Sequence, residues 1–334
     1  MSGGVDSSVA AARLVEADHE VTGATLRLWG GQTDSGCCSV GDVEDARRVA
    51  AQLGIPHYVF NLSDEFEATV VDPYVEAYSA ARTPNPCVEC NRSIKFGRAL
   101  DRAHALGFDA LATGHHARVT RERDRTYRLR RGADQAKDQS YVLYMLGQRE
   151  LADICFPVGD LTKAAVRATA RRLGLRTADK PESMDVCFVA RADRTAFVHA
   201  RTNPRPGAVV DTNGTVLAPH EGIANFTIGQ RRGLGVTADA PRYVIALDAR
   251  TATVMVGPRD ATLSDEIRVR DLQFVHEPPG TQIVAVQTRA HGDAVPGRLV
   301  NGSVHLDTAI PRVAPGQVVA FYDDDALVGG GLAA

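Results

Sequence analysis

Apolar positions recur with two different periods along the chain. In the first part, the run Val9 to Val15 follows a polar, glycine-rich start, and Glu20 to Leu28 is β-branched and apolar, as in a buried strand. Asp42 to Leu53 places Val43, Ala46, Val49, Ala50 and Leu53 on one helical face before Gly54 stops it. His57 to Leu62 predicts a second strand, and Ser63 caps a helix running towards Ala81. Asn91 to Leu106 predicts the next helix, ended by Gly107, and Asp109 to Thr113 a short strand ending at Gly114-His115-His116. Lys137 to Leu143 opens a further helix, and Thr162 caps one that ends at Gly174. Strand and helix in alternation predict an α/β domain with a doubly wound parallel sheet, whose ligands collect at the carboxyl ends of the strands.

From about Asn203 helical periodicity disappears and Pro and Gly thicken. Short alternating runs follow at 208–211, 243–247, 253–256, 283–287, 303–306 and 318–322, with Asp211-Thr-Asn-Gly214 as a hairpin turn. The expected organisation is a catalytic domain over 1–195, a small mixed domain over 196–260 and a C-terminal β-barrel over 261–334.

At 334 residues and 44% apolar, the chain is long enough for several proper cores. No apolar run reaches the roughly 18 residues of a membrane helix and no signal peptide opens the chain, so a cytoplasmic place without membrane contact is expected. A net charge of −3 argues against a wholly basic surface but leaves room for local basic stretches that hold RNA. One such stretch is 121–131, with six arginines against two acids, either a solvated hairpin or one that contacts phosphate. In a reducing compartment Cys37, Cys38, Cys87, Cys90, Cys155 and Cys187 are thiols or metal ligands rather than disulfides.

Two stretches carry chemistry. Met1-Ser-Gly-Gly-Val-Asp-Ser-Ser8 puts two glycines and three hydroxyls ahead of a helix: Gly3 and Gly4 allow close backbone approach, Ser7 or Ser8 can cap, and the N-terminal dipole favours an anion. The lysine and longer spacing of a Walker loop are missing. Thr83-Pro-Asn-Pro-Cys87-Val-Glu-Cys90-Asn91 sets two thiols at C-x-x-C spacing by a helix start, where thiol pKa values fall. Half of a structural zinc site would need partners that only Cys187 or Cys37-Cys38 supply; Cys187, beside Phe188, also reads as core.

The string Ser2 to Ser8 resembles the pyrophosphate-binding loop of the ATP pyrophosphatases. With TPNPCVECN, ATGHHAR (112–118), KDQSYVLY (137–144), DVCF (185–188), FTIGQRRGLGV (226–236), PRVAPGQ (311–317) and FYDDDALVGGG (321–331), the chain is similar in order, from end to end, to the bacterial tRNA-specific 2-thiouridylases. The resemblance implies thiolation of the wobble uridine of tRNAs for Lys, Glu and Gln: ATP adenylates the 2-carbonyl oxygen and a persulfide sulfur displaces AMP. It assigns the persulfide to Cys187 and the second catalytic thiol to Cys90, with a Cys90–Cys187 disulfide as one way to release the sulfur. Ser2, Gly3, Gly4, Asp6, Ser7, Ser8, Leu26 and Gly114 fall to ATP. Lys95, His115, Arg118, Lys137, Asp138, Gln139, Arg231 and Arg232 fall to tRNA, and His115 and His116 have no third ligand at helical spacing to make a metal site. Mg²⁺, tRNA, a cysteine desulfurase or sulfur-relay protein as donor, and a monomeric state complete the expectation.

Many relatives by this resemblance have Asp where this chain has Cys87, which leaves the general acid/base role unassigned. The change also makes three thiols, Cys87, Cys90 and Cys187, a set suited to a 4Fe-4S cluster with one open iron. The chain starts at its nucleotide loop, where such folds have a preceding strand; either the true start lies upstream or the fold does without that strand. The competing readings are another ATP pyrophosphatase, such as an amidotransferase-coupled synthetase, and an RNA- or metal-binding relative without catalysis.

Overall fold

The computed structural model describes residues 1–29, 40–181, 186–189, 194–237, 239–280 and 282–334; Cys37 and Cys38 lie outside them. In the N-terminal part, helices α1 (Val5–Glu16) and α2 (Val40–Leu53) flank strand β1 (Gly23–Arg27), followed by β2 (His57–Asn61). A second helical run joins α3 (Ser63–Phe66), a π-helical stretch Glu67–Val71 and α4 (Asp72–Ser79). A third joins α5 (Pro86–Glu89), the π-helical stretch Cys90–Arg98 and α6 (Ala99–Ala105). Strands β3 (Leu111–Ala112), β4 (Ala117–Arg121) and β5 (Tyr127–Arg131) precede α7 (Gln148–Ala152), β6 (Ile154–Cys155), α8 (Lys163–Arg172) and α9 (Arg194–His199).

The strands pair in parallel, as the alternation requires, in two separate two-stranded sheets among the described residues: β1 runs beside β2 from Gly23↔His57 to Arg27↔Asn61, and β3 beside β6 at Leu111↔Ile154 and Ala112↔Cys155. Met1 lies along β1, its ammonium donating to the Ala24 carbonyl and its own carbonyl accepting from Thr25 Oγ1 at 2.6 Å. Helix α1 turns Val5, Val9 and Ala10 onto Val49 of α2, Val158, and Val166 and Ala170 of α8. That apolar stripe fixes the direction in which the N-terminus of α1 points.

Two expected helices start elsewhere. The thiol-bearing helix begins at Pro86 rather than Asn91, because Asn85 caps it by accepting from Cys87 N at 3.1 Å and proline suits the first helical position. Lys137 to Leu143 forms only two 3₁₀ turns, Gln135–Lys137 and Ser140–Leu143, since the carboxylate of Asp138 between them takes the Gly132 and Ser140 amides.

The middle part is a four-stranded sheet, β7 (Gly207–Val210), β8 (Val216–His220), β9 (Tyr243–Asp248) and β10 (Thr253–Gly257), in the order β8-β7-β10-β9 around Val209, Phe226, Val244 and Val254. Six strands then close on themselves: β11 (Leu263–Phe274), β12 (Ile283–Gln287), β13 (Val295–Val300), β14 (Ser303–Pro311), β15 (Val318–Asp323) and β16 (Ala326–Ala333), in the order β11-β14-β13-β12-β15-β16 with β11 pairing β16. The hairpin β4–β5 of the N-terminal part adds to this barrel through Ala326↔Arg130 and Leu327↔Leu129. Tyr141, Tyr144 and Leu129 share one core with Val318, Tyr322 and Leu327 of the barrel, so the two parts are packed by apolar contact as well as paired by backbone.

Candidate active site

The glycine-rich loop enters α1 at Gly4, which caps the helix with extended backbone and no side-chain hydrogen bond. Ser7 and Ser8 do not cap: their hydroxyls donate back to the Gly4 carbonyl at 3.1 and 2.8 Å, and Ser7 Oγ accepts from Ser2 N at 3.0 Å. The cap is thus left to backbone amides, which suits a phosphate. Gly3 has φ +69°, and a Cβ there would fall 2.3 Å from the Asp42 carbonyl at the start of α2. Glycine is required on both counts. Gly114 is required for space, because a Cβ would meet Asp6 C and Ser7 N at 2.7 Å; the turn after β3 therefore presses on the first turn of α1.

Asp6 is the charge at this junction. Lys163 Nζ contacts both its oxygens at 2.7 Å and His116 Nε2 lies 3.2 Å from Oδ1. Burial pushes the carboxyl up, but hydrogen bonds and charge from His116 and Lys163 outweigh it and hold Asp6 below its ordinary value. His116 is kept in register by Gln139, whose Oε1 accepts from His116 N at 3.0 Å and whose N donates to the His116 carbonyl at 2.9 Å. His115, packed at 5.6 Å from the rings of both Phe96 and Phe156, stays neutral: burial, then Lys95 and His116, press its pKa well below 6.5 against the pull of Asp6. Its Nδ1 lies 2.7 Å from Thr113 Oγ1 and its Nε2 3.4 Å from Lys95 Nζ. An ammonium can only donate, so the proton belongs on Nδ1.

The thiols converge. Cys90 is buried in a cluster with Phe66, Tyr74, Ile94 and Phe188, against which Leu26 of β1, Trp29 and Cys187 pack. Cys87 is half-buried one helical turn earlier, in the first turn of α5. Cys155 is a separate thiol in β6, pushed up in pKa by burial. Among the described residues no three His, Cys, Asp or Glu side chains gather to hold a metal ion. As placed, Cys87, Cys90 and Cys187 therefore do not fit an iron–sulfur cluster.

The residues given to RNA divide into two groups. Arg231 and Arg232 are exposed on a loop tied by Gly229 N to the Val244 carbonyl at 2.8 Å and by Gln230 Nε2 to the Arg232 carbonyl at 2.9 Å. Lys95 and Lys137 are half-buried and Gln139 is exposed at the strand-end face. Arg118 is tied down at both ends of its guanidinium, with Nε donating to the Arg131 carbonyl and Nη2 to Asp325 at 2.7 Å each. Asp138 is buried, holding Gly132 N, Ser140 and Arg131. Asp138 has both carboxylate oxygens committed within the protein, while Arg118 is held by two contacts with 36% of its side chain still exposed.

Two groups were not legible beforehand. Lys163 is the first residue of α8 and reads in sequence as a solvated helix start. Lys180 binds Asp42 and Asp45 at 2.6 Å each, tying the chain just ahead of Cys187 to the start of α2. Both pairs join positions more than a hundred residues apart, so spacing could not reveal them.

A glycine-rich loop at the N-terminus of a helix beside parallel strands, with a buried thiol, Cys90, and a half-buried one, Cys187, in one cluster with Leu26 of the first strand, defines an α/β protein of the nucleotide-binding kind. Family models match successive parts of the chain: "tRNA methyl transferase HUP domain" over residues 1–191, "tRNA methyl transferase PRC-barrel domain" over 195–258 and "Aminomethyltransferase beta-barrel domain" over 264–333. Curated relatives named tRNA-specific 2-thiouridylase MnmA include those of Roseiflexus sp. (strain RS-1), 47% identical over 99% of this chain and 97% of the relative, and Mycobacteroides abscessus, 50% identical over 98% and 94%. A third, from Herpetosiphon aurantiacus, is 46% identical over 99% and 96%. The chain belongs to the tRNA-specific 2-thiouridylase family, within the ATP pyrophosphatase superfamily. The chain is also remotely similar to an NMN synthetase structure from Francisella tularensis, with TM-score 0.35 and 18% identity over 58% of this chain and 68% of that one.

Proposed function

We propose that the chain thiolates a uridine of tRNA at the 2-position at the expense of ATP. The observation that carries this reading is the packing of Cys90 and Cys187 in one cluster with Leu26 of β1, beside the strand whose neighbour Met1 leads into the phosphate cradle. A uridine carbonyl is a poor electrophile until its oxygen becomes a leaving group, so nucleotide cradle and nucleophilic sulfur must share one pocket.

ATP is taken as substrate by Ser2, Gly3, Gly4, Ser7 and Ser8, with Leu26 against the base and Gly114 giving the loop its room. Asp6 is the carboxylate in place to meet the Mg²⁺ that ATP carries, whose charge would steady the leaving pyrophosphate. The uridine 2-oxygen attacks the α-phosphorus, pyrophosphate leaves, and an adenylated intermediate forms. The terminal sulfur of a Cys187 persulfide is released by Cys90: its thiolate attacks the Cys187 sulfur, the S–S bond to the terminal sulfur breaks, and a Cys90–Cys187 disulfide results. The hydrosulfide so freed adds at C2 and AMP departs. Two electrons from an external thiol reductant reopen the disulfide.

Neutral His115, with Lys95 behind it, and Gln139 face the base, while Arg231, Arg232 and Lys137 meet phosphates. Arg118 and Asp138 act from within, Arg118 by holding the basic hairpin to Asp325 and Asp138 by shaping the turn that carries Gln139. The tRNAs expected are those for Lys, Glu and Gln, with sulfur from a cysteine desulfurase or a relay protein. No described helix is long and apolar enough to cross a membrane.

The test is thiolation in vitro with ATP, Mg²⁺, a cysteine desulfurase, cysteine, a thiol reductant and unmodified tRNA for Glu, scored by retarded migration on a mercury gel. Thiolation by the protein and none by Cys187→Ser is expected. Pyrophosphate release without thiolation by the unmodified protein would reject the sulfur step.

A further inference from the structure

Three of the sequence motifs meet at one backbone position. Thr83, which opens Thr83-Pro-Asn-Pro-Cys87, donates its N–H to the Pro315 carbonyl at 2.7 Å and accepts at its own carbonyl from Gln317 Nε2 at 2.6 Å. Its hydroxyl reaches Thr227 Oγ1 of the middle part at 3.4 Å. Gly316 lies between the two barrel partners with φ +90°, and a Cβ there would come within 3.3 Å of the Thr83 carbonyl. The barrel turn is itself held in shape by Gly316 N on the Ala333 carbonyl and Ala333 N on the Gln317 carbonyl, both 2.8 Å.

Beyond Thr83 little freedom remains before the thiols. Pro84 and Pro86 fix two φ angles, and the Asn85 side chain caps the helix by accepting from Cys87 N at 3.1 Å. Cys90 follows within the first turns, where the helix passes into its π-helical stretch Cys90–Arg98. A shift of Thr83 is therefore passed along a stiff segment to Cys90.

We infer that the Ala314–Gln317 turn of the barrel is a positioning device for sulfur transfer, with Gln317 its principal residue: by holding both backbone polar groups of Thr83, the last domain of the chain sets where the Cys90 sulfur lies relative to Cys187. The inference rests on the sulfur-transfer reading for its functional consequence but not for its geometry. Without Gln317 the half-buried Thr83 carbonyl loses its donor, and of the two hydrogen bonds that tie Thr83 to the barrel only the one to Pro315 remains, with Val88 further along packed in the shared core.

The experiment compares the full-length protein with Gln317→Leu, which keeps side-chain bulk and leaves the backbone bonds of residue 317 intact, and with Gly316→Ala, which presses on the Thr83 carbonyl from the same turn. Two quantities are read for each: steady-state thiolation of tRNA, and the rate at which iodoacetamide alkylates Cys90, followed by mass spectrometry of its peptide. In both variants kcat is expected to fall about tenfold to a hundredfold, with KM for ATP and for tRNA unchanged and the melting temperature within a few degrees. Alkylation of buried Cys90 is expected to quicken severalfold. A fall in melting temperature or a rise in both KM values that accounts for the lost activity would assign Gln317 a merely structural role, and unchanged alkylation in both variants overturns the inference. Should the unmodified protein fail to thiolate tRNA, the functional reading fails, while the alkylation comparison still decides whether the barrel positions Cys90.

Discussion

Lys163 Nζ bridges the two carboxylate oxygens of Asp6 at 2.7 Å each, at the first turn of α1, the helix to which we assign the nucleotide's phosphates. Only 13% of the lysine side chain is exposed, so its charge is aimed at the cradle and not at bulk solvent. On the proposed reading, an arriving triphosphate would compete with Asp6 for this ammonium and leave the carboxylate to the metal ion that accompanies it. Lys163→Met should remove one charge-assisted contact, about 2 kcal/mol, and lower kcat/KM for ATP roughly 30-fold. Pyrophosphate release at varied ATP measures it; unaltered kinetics would restrict the pair to holding α8 against α1.

Acid should destabilise the protein in a window set first by His115. Its native pKa is pressed well below 6.5 by burial, with Lys95 and His116 adding to the effect. Between 6.5 and that native value the unfolded chain binds a proton that the native state refuses, so stability falls as pH falls, by up to about 1.4 kcal/mol per pH unit for this one group. His57, also lowered through burial, acts in the same direction. Asp6 enters later: its lowered pKa contributes stability above the ordinary carboxylate value, lost as pH falls through the native one. With 30% of its side chain exposed, that share is small. His115→Phe, which fits between Phe96 and Phe156, should flatten the loss of melting temperature between about pH 7 and about pH 5.5. An equally steep loss in the variant would remove His115 as its source.

The elements legible in the sequence are those whose pattern depends on their own residues: α2 and β1 with their apolar faces, α8 with its Thr162 cap, and the turn at Asp211 to Gly214. Strand β16 was not, because Gly329, Gly330 and Gly331 give no alternation. The structure needs them small: a Cβ on Gly330 would meet the Val319 carbonyl at 2.8 Å and the Tyr144 ring at 2.9 Å. Strands β8, β11 and β13 were missed for a related reason, since their pairing within the barrel and middle sheet, and not a strong apolar run, makes them strands. At the site, the glycine loop and the thiols stood out by composition. Lys163, Lys180 and Gln317 did not, because each acts on a partner brought near only by the fold.

Arginines on this protein should separate by experiment into those that meet RNA and those that hold the fold. Arg231 and Arg232 are exposed, whereas Arg130 pairs with Asp325 at 2.6 Å and Glu122 at 3.1 Å. Changing both Arg231 and Arg232 to Ala should weaken tRNA binding, reduce the slope of log affinity against log salt by roughly 1 to 2, and leave melting unchanged. Arg130→Ala should leave the slope intact and cost about 1 kcal/mol of stability. Filter binding at several salt concentrations and thermal melts check both. A reduced slope in Arg130→Ala would return the basic hairpin to the RNA surface.

Cys87 occupies the second position of a helix capped by Asn85, with its N–H on the Asn85 side chain at 3.1 Å. A carboxylate in that first turn faces the positive end of the helix dipole, worth about 0.3 to 1 kcal/mol. Aspartate is thus compatible with the local structure, and it is the residue the family resemblance places there. Cys87→Asp should melt at the same temperature or slightly higher and thiolate tRNA at a rate within about threefold of the parent, since position 87 then supplies charge and not sulfur. Cys90→Ser, by contrast, should abolish turnover. Loss of thiolation in both Cys87→Asp and Cys87→Ser, with melting intact, would mean that the Cys87 sulfur itself takes part. Iron that copurifies with the anaerobically prepared parent and vanishes in Cys87→Asp would go further, showing that the three thiols move together around a cluster that their arrangement here does not accommodate.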